Sequence, residues 1–215
     1  MLTTRELIKL IKYVGLSFGQ LPETEFDSPL GTASGAGAIF GTTGGVMEAA
    51  LRTVCDKLTG KTLERLDFQE ARGFKGIKEC TLELGGRTLH IAIAHTLKNA
   101  EILMEQVRKG ISPYDFIEVM ACPGGCIGGG GQPIGTTTAV KKKRMQALYE
   151  IDRSLPVRKS HENPELQVLY RDFLGEPGEG KAHELLHTGY RAVPKTYQSE
   201  ARRACLTDAA RSGMV

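Results

Sequence analysis

Three strand-like segments, joined by one tight turn and one helical crossover, constrain the fold of this 215-residue chain most strongly. Residues 77–84 (IKECTLEL) and 87–94 (RTLHIAIA) look like strands, and Gly85–Gly86 between them is a two-residue hairpin signal. A helical stripe of apolar residues over 97–107 then leads to a short apolar strand at 114–120 (YDFIEVM). A hairpin and a crossover in one chain predict an α/β fold with a mixed β-sheet flanked by helices.

Helix start and stop signals extend this pattern to both ends of the chain. Thr3 and Glu6 form a capping-box pattern before an apolar helical stripe. Asn163 and Gly175 have the residue types expected just before and just after a helix. The further segments predicted are helices at 7–14, 47–58, 140–153, 164–174 and 180–190, a long loop at 16–38 and a strand at 65–71.

Composition excludes several classes of function. The net charge of +3 is small, and the body of the chain shows no basic footprint for nucleic acid. The basic run KKKR at 141–144 opens a predicted helix and is interpreted as a solvated face. No apolar run approaches the roughly 20 residues of a membrane span, and the N-terminus lacks the features of a secretory signal. Five cysteines form no disulfide-framework spacing, which favours a reducing cytoplasm.

The pentapeptide HELLH, which begins at His183, matches the H-E-x-x-H pattern of zinc peptidases. On a helix, His183 and His187 share a face and could bind zinc, with Glu184 as general base. Glu200 is a formal candidate for the third ligand, but Tyr190 replaces the glycine of the extended pattern. An amphipathic helix with exposed histidines is the favoured interpretation, and a zinc metallopeptidase is the minor alternative.

The segment GAGAIFG at 35–41 has glycine spacing like that of a dinucleotide-binding loop. A polar loop precedes it, whereas a nucleotide-binding unit requires a buried strand at that place. The glycines are better explained as positions where the backbone passes close to bulky groups. We therefore do not interpret this segment as a nucleotide site.

Cys122 and Cys126 lie in a glycine-rich loop directly after the strand at 114–120. Sites in open α/β folds collect at the carboxyl ends of strands, and glycines leave space and backbone N–H groups around the two sulfurs. This environment favours an iron–sulfur cluster, with a redox disulfide and a zinc site as alternatives that fit the spacing less well. The remaining cysteines and the isolated histidines are interpreted as structural or incidental: Cys55, Cys80, Cys205, His90, His95 and His161.

At this loop the sequence resembles one family. The segment FIEVMACPGGCIGGGGQP (116–133) is similar to the third cysteine signature of iron-only, or FeFe, hydrogenases. The resemblance covers roughly residues 2–190 and corresponds to the C-terminal part of the H-cluster catalytic domain. Five further blocks carry it: LTTREL (2–7), GAGAIFGTTGGVMEAALR (35–52), RGFKGIKE (72–79), RKSHENPELQVLY (158–170) and EPGEGKAHELLHTGY (176–190).

The resemblance implies a cofactor and a role for five residues. The family's H-cluster is a 4Fe–4S cubane joined through one cysteine sulfur to a diiron unit with CO, CN⁻ and a dithiolate amine. By position, Cys122 and Cys126 are expected to ligate the cubane, and Cys126 is also expected to bridge to the diiron unit. Met120 is expected to pack against the diiron unit, with Phe40 and Gly41 lining its pocket. The implied reaction is reversible oxidation of H₂ to protons and electrons.

The sequence also departs from the family. A cubane needs four ligands, and the two cysteine signatures that carry the others are absent from these 215 residues. We therefore expect residues 1–190 to be part of the H-cluster domain, and residues 191–215 to form a poorly ordered tail. The missing ligands are expected on a missing segment or a partner chain.

The expected partners follow from the same resemblance. An electron carrier, such as ferredoxin or an NAD(P)H-linked subunit, is expected to act through domains that this sequence lacks. Alone, the chain is expected to be incomplete and inactive. A non-catalytic remnant or a partner-binding module of the same fold is the alternative function.

Overall fold

The computed structural model describes residues 2–24, 31, 33–60, 67–68, 71–84 and 86–191. The chain divides after Val168 into two compact units. The first contains helices α1 (Thr4–Tyr13), α2 (Gly35–Ile39), α3 (Gly45–Thr59), α4 (Leu97–Arg108) and α5 (Thr138–Ser154), and strands β1 (Ile77–Leu84), β2 (Arg87–His95) and β3 (Phe116–Met120). Helix α6 (Pro164–Leu169) runs across the division, and the second unit contains a π-helical turn (Tyr170–Leu174) and α7 (Gly180–Leu186).

The sheet is the mixed sheet that the sequence predicts. Its strand order is β1-β2-β3, with β1 antiparallel and β3 parallel to β2. Leu84 pairs with Arg87 across the predicted two-residue turn, where Gly86 has a φ of +77°. The crossover from β2 to β3 passes through α4, as expected for a parallel pair.

Both faces of the central strand β2 are buried. Ile91 and Ile93 face α3, where they pack with Met47 and Leu51. Ala92 and Ala94 face the opposite side and pack with Leu103 of α4 and its neighbours. Successive strand residues point to opposite faces of the sheet. The whole run Ile91–Ala94 is buried because helices cover both faces.

The predicted helix ends are largely confirmed. Thr3 accepts from the Glu6 amide at 3.3 Å and Glu6 accepts from the Thr3 amide at 2.8 Å, which completes the capping box. Asn163 accepts from the Glu165 amide at 3.0 Å, and Gly175 has a φ of +79° just after the π-helical turn. Helix α7 ends at Leu186, earlier than predicted, and His187 is extended.

Other predictions differ from the structure or fall outside it. The predicted loop at 16–38 contains the first residues of α2, because the Ser34 side chain accepts from the Gly37 amide and starts a helix. The predicted strand at 65–71 lies mostly outside the described residues, and 67, 68 and 71 are not strand residues. The predicted tail lies outside them from residue 192 onward, so its order stays a prediction. Within the described residues, no helix combines the length and apolarity needed to span a membrane.

Candidate functional site

The loop after β3 carries the two cysteines that the sequence singles out. The Met120 carbonyl, at the end of β3, accepts from the Thr96 amide at 2.8 Å, so the loop leaves the sheet at the carboxyl edge of the parallel pair. Cys122 is half-buried, Cys126 is exposed, and both are free thiols. The structure therefore presents two unpaired thiols at the edge where sites in α/β folds collect.

Glycine geometry folds this loop back between the cysteines. Gly124 and Gly125 have φ values of +87° and +95°, a region that favours glycine. The Gly125 amide donates to the Cys122 carbonyl at 3.1 Å, and a short 3₁₀ turn begins at Cys126. A Cβ on Gly125 would lie only 2.9 Å from the Met120 sulfur. Such a Cβ would also lie 2.8 Å from the Thr43 nitrogen and 2.9 Å from the Gly41 carbonyl oxygen, so glycine lets the loop pack against this backbone.

The segment between α2 and α3 lies against the cysteine loop. The Ile127 amide donates to the Gly41 carbonyl at 3.0 Å, and the Thr43 amide donates to the Gly124 carbonyl at 3.0 Å. The Phe40 side chain is half-exposed. These bonds place side by side the two segments that carry every site residue expected from the family: Phe40, Gly41, Met120, Cys122 and Cys126. Their roles toward a cofactor remain predictions.

A buried pair of opposite charges supports this junction from the sheet. Lys78 and Glu118 flank Ile93 in the register of β1, β2 and β3. Glu118 accepts from the amides of Gly44 and Met47 at 2.6 and 2.7 Å, which caps the start of α3. A carboxylate at a helix N-terminus is stabilised by the free amides and the helix dipole.

Lys78 fixes backbone carbonyls on the other side of the same turn. Its ammonium donates to the carbonyls of Thr43, Ala71 and Gly73 at 3.3, 2.6 and 3.1 Å. Burial lowers the pKa of Lys78 to about 8, against the opposing effect of Glu118. Burial raises the pKa of Glu118, although both amide donors and Lys78 favour its ionised form. The two side chains thus fix the conformation of the Thr43–Gly44 turn, which hydrogen-bonds the cysteine loop.

Sequence reasoning missed Lys78 and Glu118. The sequence shows only a charged residue inside each strand-like run. The register of the sheet, which the sequence does not reveal, makes both positions inward-facing. The pairing across Ile93 depends on a crossover of 20 residues, because β2 ends at His95 and β3 begins at Phe116. Local patterns do not specify that register.

The residues present fit one part of an iron–sulfur ligand set. Thiolate sulfur is the usual protein ligand of such clusters, and a Cβ on Gly129 would lie 3.8 Å from the Cys122 sulfur, in the space beside that thiol. The hydroxyls of Thr42 and Thr43 are fully buried beside the loop and have no hydrogen-bond partner among the described residues. Within that part of the chain, neither cysteine belongs to a group of three or more potential metal ligands. Two thiols would make up half of the four-thiolate ligand set of a cubane, and their binding to a cluster is a prediction.

A second buried charge network lies between α3 and α5. Arg52 is completely buried and bonds Glu48 at 2.9 Å and both oxygens of Asp152 at 2.7 and 2.9 Å. Burial alone would raise the pKa of Asp152, but Arg52 and Arg158 outweigh it and hold the pKa below its usual range. The Arg72 guanidinium also bonds Glu48 at 2.7 Å. The bonds between Arg52 and Asp152 join α3 to α5, and Arg72 joins a loop to α3.

One cluster of described residues has the composition of a cation site. Asp56, His161 and Glu162 place ligand atoms within 4.8 Å of one another. Lys159, which is almost fully buried, already forms ion pairs with Asp56 and Glu162. Since the lysine ammonium supplies the positive charge, the cluster is best explained as an ion-pair network. His161 also contacts Thr53 at 3.0 Å, consistent with a structural role.

The HELLH segment shows no zinc-site geometry. His183 lies in α7, whereas His187 follows its end, and both are exposed, with ring centroids 4.5 Å apart. In the described part of the chain, neither histidine joins a group of three potential ligands. Glu200, the formal third ligand, lies outside the described residues.

Close contacts explain two of the three glycines of the GAGAIFG segment, Gly35 and Gly41. A Cβ on Gly35 would lie 2.1 Å from the Asp152 carboxylate, and one on Gly41 would lie 2.8 Å from Leu148. This outcome matches the expectation of a backbone that passes close to larger groups. The cysteines predicted to be structural are consistent with that role: Cys55 of α3 lies in the core and Cys80 of β1 packs against the same cluster, while Cys205 lies outside the described residues.

Comparison with known families agrees with this geometry. Residues 1–130 match the family described as iron only hydrogenase large subunit, C-terminal domain, and residues 138–193 match iron hydrogenase small subunit. The chain belongs to the iron-only hydrogenase large-subunit family.

Individual relatives support the same assignment. The chain is 50% identical over 190 residues to the NADP-reducing hydrogenase subunit HndD of Solidesulfovibrio fructosivorans, covering 88% of this chain and 32% of that protein. It is 33% identical over 207 residues to Protein NAR1 of Arabidopsis thaliana, covering 93% and 43%. The solved FeFe-hydrogenase HydA1 of Chlamydomonas reinhardtii matches with a TM-score of 0.69 and 44% identity, covering 87% of this chain and 54% of that one. The chain thus spans well under two thirds of each relative.

Proposed function

We propose that this chain supplies two of the cubane ligands of an FeFe-hydrogenase site, through the sulfurs of Cys122 and Cys126. The observation that carries this proposal is the pair of free thiols on a glycine loop at the carboxyl edge of β3, in a chain of the iron-only hydrogenase family. The other two ligands lie on polypeptide outside these 215 residues, whether a further segment or a partner chain. The assembled site would catalyse reversible oxidation of H₂ to protons and electrons.

The residues around the thiols have separate tasks in this proposal. Cys122 and Cys126 would hold the cubane, and Cys126 would also supply the thiolate for the diiron unit. The Met120 sulfur lies next to Gly125 and would line the pocket of the diiron unit, together with Phe40 and Gly41. When bound, the H-cluster supplies the metal chemistry that polarises dihydrogen, and the protein supplies ligands and a dry pocket.

The exposed apolar face of the N-terminal segment supports the need for additional polypeptide. None of the ten residues of α1 is buried, although it carries apolar side chains at helical spacing. Phe18 and Tyr13 are 68% and 88% exposed, and the Arg5 amide bonds the Gly131 carbonyl at 3.1 Å, next to the cysteine loop. We propose that the missing part of the domain covers this face, because contiguous exposed apolar surface usually marks an interface.

Electron partners and location are proposed from the family. An external electron carrier, either ferredoxin or an NADP-linked subunit, would connect to the assembled enzyme, since one relative is named an NADP-reducing hydrogenase subunit. Free thiols and an odd cysteine count favour a reducing cytoplasm.

A non-catalytic role is the second candidate, because one relative, Protein NAR1, lacks a hydrogenase name. Its identity of 33% is lower than the 50% shared with the hydrogenase subunit, which favours the catalytic proposal. The chain with the remainder of the domain and the maturation machinery should evolve H₂ under anaerobic conditions. Cluster binding with no H₂ evolution would favour the second candidate.

Substitution of the bridging thiol tests the ligand assignment. Cys126→Ala should abolish H₂ evolution, because it removes the sulfur that joins the cubane to the diiron unit. Cys80→Ala is the matched control, since Cys80 lies in β1 and packs against the core. H₂ evolution by Cys126→Ala at the wild-type rate would remove Cys126 from the mechanism.

A further inference from the structure

Two cationic side chains of α5 reach the backbone of the cysteine loop. The Lys141 ammonium lies 3.4 Å from the Pro123 carbonyl, and the Arg144 guanidinium donates to the Ile127 carbonyl at 2.6 Å. Pro123 directly follows Cys122, and Ile127 directly follows Cys126. A cationic side chain of α5 therefore bonds the carbonyl of the residue that follows each cysteine.

The lysine stem is packed into this loop. A Cβ on Gly124 would lie 3.4 Å from the Lys141 Cδ, and one on Gly128 would lie 2.9 Å from the same atom. Phe74 contributes to the same contact, because the Lys141 ammonium lies 5.8 Å from its ring centroid. The lysine stem therefore lies in space that side chains at Gly124 and Gly128 would occupy.

This arrangement corrects the interpretation of KKKR as a solvated face. Lys142 and Lys143 are exposed, as that interpretation requires, whereas Lys141 and Arg144 are half-buried against the loop. Positions three apart share one side of a helix, so one side of α5 contacts the loop. The sequence could not distinguish the four basic residues, because they are consecutive and chemically alike.

We propose that Lys141 and Arg144 are positioning residues that clamp the cysteine loop and raise the reduction potential of the cluster bound there. The inference rests on the cluster ligation proposed above. Reduction adds one electron from an external one-electron donor, and no bond to the protein forms or breaks. Two positive charges held against the peptide groups that follow the cysteines would stabilise the added negative charge.

The clamp also joins the two segments that match different family models. The cysteine loop up to residue 130 lies in the large-subunit match, whereas α5 begins the small-subunit match at residue 138. The electrostatic environment of the cysteines would therefore depend on a segment outside the cysteine signature itself.

A matched pair of variants in the assembled complex tests the proposal. Lys141→Met and Lys142→Met each remove one positive charge from adjacent positions of α5, and methionine keeps an apolar stem. Iron and sulfide content is measured first, and the midpoint potential of the cubane then follows from redox-poised electron paramagnetic resonance. We expect Lys141→Met to lower the equilibrium constant for one-electron reduction about tenfold, or about 59 mV. Lys142→Met should shift it much less.

A second pair covers the case in which Lys141→Met does not assemble. Arg144→Gln should lower the potential more than Lys143→Gln, and Arg144→Lys should restore most of the loss because it keeps the charge. Equal shifts at contacting and exposed positions, with normal iron content, would overturn the clamp and leave the ligand proposal standing. Absence of iron in the wild-type complex would overturn the ligand proposal, and the clamp with it.

Discussion

The two buried charge systems of the first unit fix different parts of the molecule. Lys78 and Glu118 bond mainly to backbone groups, the carbonyls and amides of the turn between α2 and α3. Arg52 bonds mainly to the side chains of Glu48 and Asp152. Charges that act on backbone define the shape of a loop, whereas charges that act on side chains define how helices pack.

The comparison assigns a different consequence to each system. Disruption of the Arg52 network should lower the free energy of unfolding. Disruption around the Thr43–Gly44 turn should chiefly alter the cysteine loop, because Thr43 bonds Gly124 between the two cysteines. Stability and iron binding should therefore respond to different substitutions.

The largest effect on stability is expected from Arg52→Met. Removal of the fully buried guanidinium takes one of two arginine partners from each of the buried carboxylates Glu48 and Asp152, which costs up to roughly 3–5 kcal/mol, since Arg72 and Arg158 remain. Urea unfolding measures this change. Arg108→Met is the control, because the exposed Arg108–Glu105 pair is worth about 1 kcal/mol or less. A cost below that of the control would contradict the role assigned to the network.

Gly125→Ala should have a smaller effect on stability but a large effect on iron binding. Its φ of +95° disfavours a side chain, and a Cβ would lie 2.8 Å from the Thr43 nitrogen and 2.9 Å from the Met120 sulfur. We expect about 1–3 kcal/mol of destabilisation and loss of most bound iron from the assembled complex. Gly130→Ala, in the same loop with open space around it, should retain iron. Equal iron content in both variants would show that the tight turn is not needed.

Glu118→Gln should loosen the start of α3. An amide offers one acceptor oxygen where the carboxylate offers two, so one of the Gly44 and Met47 amides loses its partner, at a cost of about 1–3 kcal/mol. Hydrogen exchange at these two amides should accelerate relative to the wild type. Glu101→Gln, at an exposed position of α4, is the control. Unchanged exchange in Glu118→Gln would contradict the capping role.

The smallest expected effect is a pH dependence at Lys78. Its pKa is about 8 in the folded protein and 10.5 when unperturbed, so the unfolded chain binds more protons between these values. The stability of the wild type should therefore rise with pH across this window, relative to Lys78→Met, because the neutral amine is easier to bury. Urea unfolding of both proteins at pH 8 and pH 10 measures the difference. A wild-type stability that falls relative to the variant would contradict the burial effect.

Sequence patterns predicted those parts of the fold that depend on residues close together in the chain. The hairpin at Gly85–Gly86 and the capping box at Thr3 follow from residues close in sequence, and the structure contains both. The start of α2 at Gly35 was missed, because glycines weaken a helix and the Ser34 cap provides the compensating bond.

The candidate site could be predicted only in part. Cys122 and Cys126 are recognisable because they lie four residues apart in a glycine-rich segment directly after a strand. Lys78, Glu118 and Lys141 are not, because each acts through a contact between distant segments, and ordinary strand and helix patterns contain such residues without that role. Long-range register and helix placement decide which charges meet the loop.

The most direct test of the account is the iron and sulfide content of the anaerobically purified chain, alone and assembled with the remainder of the domain, together with the mass of each species. We predict that the chain alone retains no stable cubane, because in our proposal it supplies only two of the four thiolates, and that the assembled complex retains one cubane per copy. Cys122→Ala and Cys126→Ala should each lower the content of the complex. A stable cubane in the isolated chain, or one held between two copies of it, would contradict the claim that the other ligands lie on additional polypeptide.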